Sequence, residues 1–174
     1  MSRKRVAGLA AAAALIAVVL IGANVLPSAA QEPPPPISTE LLTGRAVFTD
    51  NVDLKVKNKL DGKATDVVNA KDPSRTVTAR FTVQPGVQFG WHTHSGPVIV
   101  NVVQGELRFV GADDCVERPY PAGTAFVDLG HGHVHNAFNP TSGPTVLVAT
   151  FFEAPASGPL VIPAQAPAGC SIDT

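Results

Sequence analysis

The chain has 174 residues, of which 45% are hydrophobic and 16% are charged, and its formal net charge is −1. This length and composition allow one domain with a substantial apolar core. No basic cluster follows the N-terminal residues, which argues against a nucleic-acid partner.

Residues 1–30 have the pattern of an export signal. A basic start at residues 2–5 precedes an uncharged apolar run over residues 6–26, and small residues lead up to Ala30. This order is typical of a secretory signal peptide that is cleaved after Ala30. The apolar run is also long enough to span a bilayer, so a membrane tether through residues 6–26 is the alternative. Either way, the sequence predicts a secreted or cell-envelope protein.

Residues 31–44 begin with four consecutive prolines after Glu32 and predict an extended linker. Residues 45–174 then predict a single all-β domain. Apolar and polar residues alternate from Val52 to Lys57, as in a strand with one solvent-facing side. The β-rich segments that follow are separated by turn residues such as proline and glycine. Many short strands at close spacing predict a β-sandwich or a β-barrel.

Cys115 and Cys170 are the two cysteines of the chain, and both lie in the part predicted to be exported. An even number of cysteines in an oxidising compartment predicts one disulfide between them. Such a bond would connect the C-terminal tail to the middle of the domain. Two free thiols are the less favoured alternative.

The five histidines fall into two clusters, which contain His92 and His94 in the first and His131, His133 and His135 in the second. Because side chains alternate along a strand, His92 and His94 point to the same side. Two neutral imidazoles side by side suit a metal ion, and a third ligand is needed to hold it.

The first cluster resembles one of two motifs of the cupin superfamily, in which a glycine precedes His-x-His, a glutamate and a second glycine. Gly86, His92, His94 and Gly105 lie at the expected offsets. Val98 stands where the glutamate is usual, and along an unbroken strand it would face the same side as the histidines. The sequence therefore predicts an apolar side chain in place of that carboxylate.

The second cluster resembles the other cupin motif through Gly123, Gly132, His135 and Asn139, with one additional residue after Gly123 and a glycine in place of the usual proline. The resemblance covers residues 76–153. It implies a small, single-domain, type-2-like cupin whose fold is an antiparallel β-barrel, also called a jelly roll or double-stranded β-helix. It also implies that homodimers can form through the sheets.

Carried over to this chain, the metal ligands of the family are His92, His94 and His135. A three-histidine site can hold one divalent ion and leave a position for water. Imidazole ligands favour Zn²⁺, Cu²⁺, Ni²⁺ or Fe²⁺, and we rank Zn²⁺ first because Fe²⁺ is hard to keep reduced outside the cytosol.

The remaining polar residues near the motifs receive secondary roles. His133 is the candidate acid–base residue, whereas His131 is expected in a solvated turn. Asn139 is expected to orient either the loop or the third histidine, His135, through a hydrogen bond and to bind no ligand. Asp128 is interpreted as a hydrogen-bonded loop acid, with a supporting position behind the metal ligands as the alternative.

Two functions follow from these features, and the sequence does not decide between them. The first is a metalloenzyme that acts on a small molecule by dioxygenase-like or hydrolase-like chemistry. The second is a non-catalytic barrel that binds a small ligand, with or without a metal. Both depend on analogy with a superfamily that hosts very different activities.

Overall fold

The computed structural model describes residues 33–71 and 73–172. All regular secondary structure in these ranges is β-strand, so they contain no helix that could cross a membrane. The predicted export signal, residues 1–30, lies outside the described residues. In chain order the strands are β1 (Ile37–Leu41), β2 (Ala46–Val47), β3 (Asp53–Asn58), β4 (Asp66–Lys71), β5 (Arg75–Val83), β6 (His92–Thr93), β7 (Val98–Gln104), β8 (Glu106–Gly111), β9 (Glu117–Pro121), β10 (Ala125–Asp128), β11 (His135–Phe138), β12 (Thr145–Phe151) and β13 (Ile162–Pro163).

Two antiparallel sheets form the body of the domain. The larger sheet has the order β1-β5-β12-β7-β10, with β2 also paired to β5, and the smaller sheet has the order β13-β6-β11-β8-β9. Both sheets contribute to one apolar core, which includes Val83 and Leu147 from the larger sheet and Leu107 and Ala137 from the smaller one. This arrangement confirms the predicted all-β antiparallel barrel of the cupin type.

Strand β7 shows how the sequence pattern builds this core. Val98, Val100 and Val102 are buried, whereas Ile99 and Val103 expose 40% and 59% of their surfaces. The alternation follows from the two-residue period of a strand, and branched aliphatic side chains pack well on a pleated surface. Each second residue of β7 therefore faces the barrel interior.

Strands β3 and β4 form a separate two-stranded hairpin. Asn58 Nδ2 donates a hydrogen bond of 3.3 Å to the carbonyl oxygen of Val127 in β10. Lys63 in the hairpin turn forms an ion pair with Asp113, which follows β8. A cavity of about 400 Å³ lies between the hairpin and the barrel and is lined by residues of both.

Strand β1 lies within residues 31–44, the segment predicted to be an extended linker. Residues Ile37–Leu41 pair with β5 in antiparallel register, from Ile37 opposite Val83 to Leu41 opposite Ala79. The strand lies at the edge of the sheet, and four of its five residues are exposed. Because this strand is exposed at the edge of the sheet, it lacks the alternation of apolar and polar residues by which a strand is recognised in a sequence. The four prolines that precede it therefore suggested a linker.

The predicted disulfide is present. Cys115 and Cys170 are bonded, with Cα atoms 5.5 Å apart and a sequence separation of 55 residues. The bond joins the turn between β8 and β9 to the C-terminal segment that follows β13.

Candidate metal centre

Three histidines meet inside the barrel because two neighbouring strands carry them. His92 and His135 begin β6 and β11 and lie opposite each other in the antiparallel register. His94 follows β6 directly. The three residues expose 4%, 4% and 7% of their surfaces, respectively. One ligand atom from each lies within 4.8 Å of the others, so the structure brings together the three predicted metal ligands.

In each of these histidines the Nδ1 atom lies against a backbone carbonyl oxygen. The pairs are His92 with Gly90 at 2.7 Å, His94 with Leu160 at 2.8 Å and His135 with His133 at 3.4 Å. Because a carbonyl oxygen only accepts, Nδ1 carries the proton and donates it, which leaves a free lone pair on Nε2. Hydrogen bonds of this kind fix the tautomer and the orientation of metal-ligating histidines.

Burial favours the neutral form of His92 and His135. Removal from water lowers the pKa of His92 to about 3, and the neighbouring rings of His135 and His94 act in the same direction. Burial also lowers the pKa of His135. A metal ion therefore does not have to displace a proton from either of these rings at neutral pH.

Asp128, the last residue of β10, is the buried carboxylate of this centre. Its Oδ1 accepts a hydrogen bond of 2.9 Å from the backbone N–H of Gly130, as expected for a loop acid. Its Oδ2 lies 3.1 Å from Nε2 of His94 and 3.2 Å from Nε2 of His135. Burial alone would raise the pKa of this carboxyl, but the contacts with His94 and His135 and the bond from Gly130 outweigh burial and lower it.

Val98 lies in the wall of the same pocket as the three histidines and Asp128. The predicted apolar side chain is therefore present at this position. The expectation of one unbroken strand from His92 to Val98, however, is wrong. The chain leaves the smaller sheet after β6 and enters the larger sheet at β7, so the strand is not continuous. The space inside this pocket is about 40 Å³, enough for an ion and a few waters.

The loop between β10 and β11 is packed tightly against the segment that carries His94. The backbone N–H of His131 donates a hydrogen bond of 3.0 Å to the carbonyl oxygen of His94. Gly130 has a φ of +59°, and a Cβ added there would lie 2.0 Å from the carbonyl oxygen of Gly96. Only glycine fits this position, and the close contact holds Asp128 beside His94.

The other two histidines of the second cluster lie outside the metal pocket. His131 is exposed, and its Nε2 contacts the carboxylate of Glu153, as expected for a residue of a solvated turn. His133 is also exposed, and its Nδ1 lies 2.8 Å from the carbonyl oxygen of Gly130. His133 lines the cavity of about 400 Å³ together with His135 and Asp128, so this cavity reaches the metal pocket.

No family model and no curated protein matches this sequence. Similar solved structures include an oxalate oxidase in complex with the substrate analogue glycolate, at 26% identity over 45% of this chain and 42% of that chain, with a TM-score of 0.40. An uncharacterized protein with a double-stranded β-helix domain from Klebsiella pneumoniae is 22% identical over 52% of this chain and 70% of that chain, with a TM-score of 0.39. KdgF from Halomonas sp. is 18% identical over 69% of this chain and 82% of that chain, with a TM-score of 0.43.

The match with the oxalate oxidase spans less than half of that chain. This chain has an antiparallel barrel of the cupin type, and the barrel brings residues of the two histidine clusters together at one buried pocket.

Proposed function

We propose that this protein is an exported metalloenzyme that holds one divalent metal ion on His92, His94 and His135 and acts on a small molecule. The observation that carries this proposal is the set of three buried imidazoles whose Nδ1 atoms are already engaged. An Nε2 lone pair that is buried without a partner is costly, and a shared metal ion would satisfy all three. Three histidines with an open position are typical of catalytic zinc sites.

The donor set favours Zn²⁺ as the resident ion. Imidazole nitrogen is a good ligand for Zn²⁺, Cu²⁺, Ni²⁺ and Fe²⁺, whereas Mn²⁺ favours carboxylate oxygen. The disulfide between Cys115 and Cys170 is compatible with an oxidising compartment, where Fe²⁺ is not readily maintained. Zn²⁺ has no redox chemistry and needs no reducing environment.

A bound divalent ion would make water more acidic and would polarise a carbonyl or phosphoryl oxygen. The residues of this chain would supply the environment for that chemistry. Val98 and Phe151 exclude bulk water from the pocket wall. His133 faces the larger cavity and is placed to accept or return a proton. That cavity has the size of a small-molecule site, whereas the metal pocket is too small for an organic substrate.

The second candidate function is non-catalytic binding of a small ligand. The observation that favours it is the apolar lining of the larger cavity, to which Leu60, Phe109, Val127, Leu129 and Val134 contribute. Apolar walls suit ligand capture and take no part in proton transfer.

Elemental analysis of the purified protein tests the metal site. We expect about one equivalent of zinc in the wild type and its loss in His135→Ala, because two imidazoles hold Zn²⁺ far more weakly than three. The matched control is His131→Ala, which removes an exposed histidine of the same cluster and should leave the zinc content unchanged. Thermal melting of each metal-free variant reports whether it folds.

A wild type that contains no metal, and binds none when Zn²⁺ is added, would overturn this proposal. Equal zinc in the wild type and His135→Ala would place the metal elsewhere. In the first case the barrel would be better interpreted as a metal-free ligand-binding domain.

A further inference from the structure

Asp128 and Val98 are direct neighbours across two strands. Strand β10 pairs with β7 in antiparallel register, and Asp128 lies opposite Val98. Residues that face each other in this way project from the same side of the sheet. Both are buried in the pocket that contains the three histidines. The carboxylate that position 98 lacks is therefore present one strand away.

The contacts of the carboxylate require a positive charge. Nε2 of His94 and Nε2 of His135 carry lone pairs, because both Nδ1 atoms donate to carbonyl oxygens. Oδ2 of Asp128 lies close to both nitrogens, yet it has no hydrogen-bond partner. Acceptor atoms at such distances repel each other unless a cation or a proton lies between them.

The distances from Asp128 to two of the three histidines match those between ligands of one metal ion. The group whose ligand atoms all lie within 4.8 Å of one another contains the three histidines and not Asp128, so ligation requires the carboxylate to move closer to His92. Two donor atoms that each lie about 2.1 Å from Zn²⁺ are about 3.0 Å apart at a right angle and about 3.4 Å apart at the tetrahedral angle. Oδ2 of Asp128 lies 3.1 Å and 3.2 Å from the two Nε2 atoms. Its other oxygen is held by the N–H of Gly130, so the carboxylate has one free oxygen and a fixed orientation.

We propose that Asp128 is the fourth protein ligand of the metal ion, supplied by β10 in place of a glutamate at position 98. This inference rests on the proposed metal site and deepens it. The centre would then have three nitrogen donors and one oxygen donor, so water or a substrate would occupy a fifth position on the ion. The carboxylate comes from β10, the strand beside β7, in which the first motif would place it. A buried ion pair between Asp128 and a protonated His94, without a role in ligation, is the competing explanation.

Zinc affinity of variants at the two paired positions tests the inference. Zn²⁺ is titrated into the full-length, metal-free protein in competition with a chromophoric chelator. Asp128→Asn keeps the acceptor for Gly130 and removes the charge. We expect its affinity to fall about a hundredfold or more, since even residues that only orient ligands cost about ten- to a hundredfold.

A second pair of variants separates ligation from orientation. Val98→Glu in the Asp128→Asn background returns a carboxylate from the opposite strand, and we expect it to restore the affinity to within about tenfold of the wild type. Val98→Gln in the same background is the matched control, because it has the same shape without the charge and should restore nothing. Melting curves of the metal-free proteins establish that each variant folds.

A crystal structure of the zinc-loaded wild type decides the matter if a variant fails to fold. Oδ2 of Asp128 within about 2.3 Å of the ion would support ligation, and a separation beyond about 3 Å would overturn it. A folded Asp128→Asn variant with wild-type zinc affinity would also overturn it, while the three-histidine site would stand. Absence of zinc binding by the wild type would instead overturn the proposed function itself.

Discussion

At the residue scale, Asn139 shows how one polar side chain holds a loop. It is fully buried, and its Nδ2 donates to the carbonyl oxygens of Val83 and Gly143 at 2.9 Å and 2.8 Å. Its Oδ1 accepts from the backbone N–H and the hydroxyl of Thr141 at 2.8 Å and 2.7 Å. Asn139 therefore ties the turn after β11 to the end of β5.

We expect Asn139→Ala to lower the free energy of unfolding by about 3 kcal/mol, because it leaves several buried backbone groups without partners. Urea denaturation measures this loss. Asn101→Ala, which truncates an exposed asparagine of β7, is the control and should change the free energy by less than about 0.5 kcal/mol. Equal effects of the two substitutions would contradict this role for Asn139.

His133 allows the catalytic and non-catalytic functions to be separated. We expect His133→Gln to keep the wild-type zinc content, because its side chain lies outside the metal pocket. If His133 transfers protons, zinc-dependent hydrolysis of the probe p-nitrophenyl acetate should fall about a hundredfold. His131→Gln is the matched control and should react at the wild-type rate. Unchanged hydrolysis in His133→Gln would exclude this role, and a wild type without zinc-dependent hydrolysis would favour the ligand-binding function.

At the scale of the elements, the loop between β10 and β11 positions both Asp128 and His135. Gly130 and Gly132 both have positive φ, but their surroundings differ. A Cβ at Gly130 would collide with the backbone of Gly96, whereas a Cβ at Gly132 would meet nothing within 4 Å. A comparison of substitutions at the two positions therefore distinguishes the cost of the steric contact with Gly96 from the cost of the unfavourable φ.

We expect Gly130→Ala to lower the free energy of unfolding by about 3 kcal/mol or more and to weaken zinc binding, because the loop must move away from Gly96. Gly132→Ala should cost about 1 kcal/mol, from the unfavourable φ alone. Urea denaturation and zinc titration of both variants test this difference. Similar losses in the two variants would show that contact with Gly96 is unimportant.

At the scale of the whole molecule, the disulfide constrains the C-terminal segment. That segment supplies the carbonyl oxygen of Leu160, which holds Nδ1 of His94, and the strand β13, which pairs with β6. The bond between Cys115 and Cys170 closes a loop that contains Asp128, His135 and this segment. It therefore links the stability of the fold to the position of His94.

We expect the double substitution Cys115→Ser and Cys170→Ser to lower the free energy of unfolding by about 4 kcal/mol, from the chain entropy of a loop of this length. Chemical denaturation of the variant, compared with the reduced and the oxidised wild type, measures this effect. The reduced wild type is the matched control and should resemble the variant. A variant as stable as the oxidised protein would contradict the expected stabilisation.

The sequence by itself determined the features that depend on local pattern. Alternation of apolar residues and frequent turn residues indicated an all-β domain, because strand periodicity is a local property. The resemblance of the two histidine clusters to the cupin motifs implied His92, His94 and His135 as the ligand set. Strand alternation predicted that Val98 faces the same pocket, and it does, although β6 and β7 belong to different sheets. The number of cysteines sufficed to pair Cys115 with Cys170, because only one intramolecular pairing exists.

Only the tertiary structure decided the features that depend on pairing between distant segments. Asp128 lies thirty positions after Val98 in the chain, and the register of β10 against β7 is what brings it to the histidines. The hairpin of β3 and β4 and the edge strand β1 likewise acquire their places through contacts with β10 and β5. Strand register is fixed by long-range packing of whole sheets, so no local pattern around Asp128 could show that its carboxylate contacts both His94 and His135.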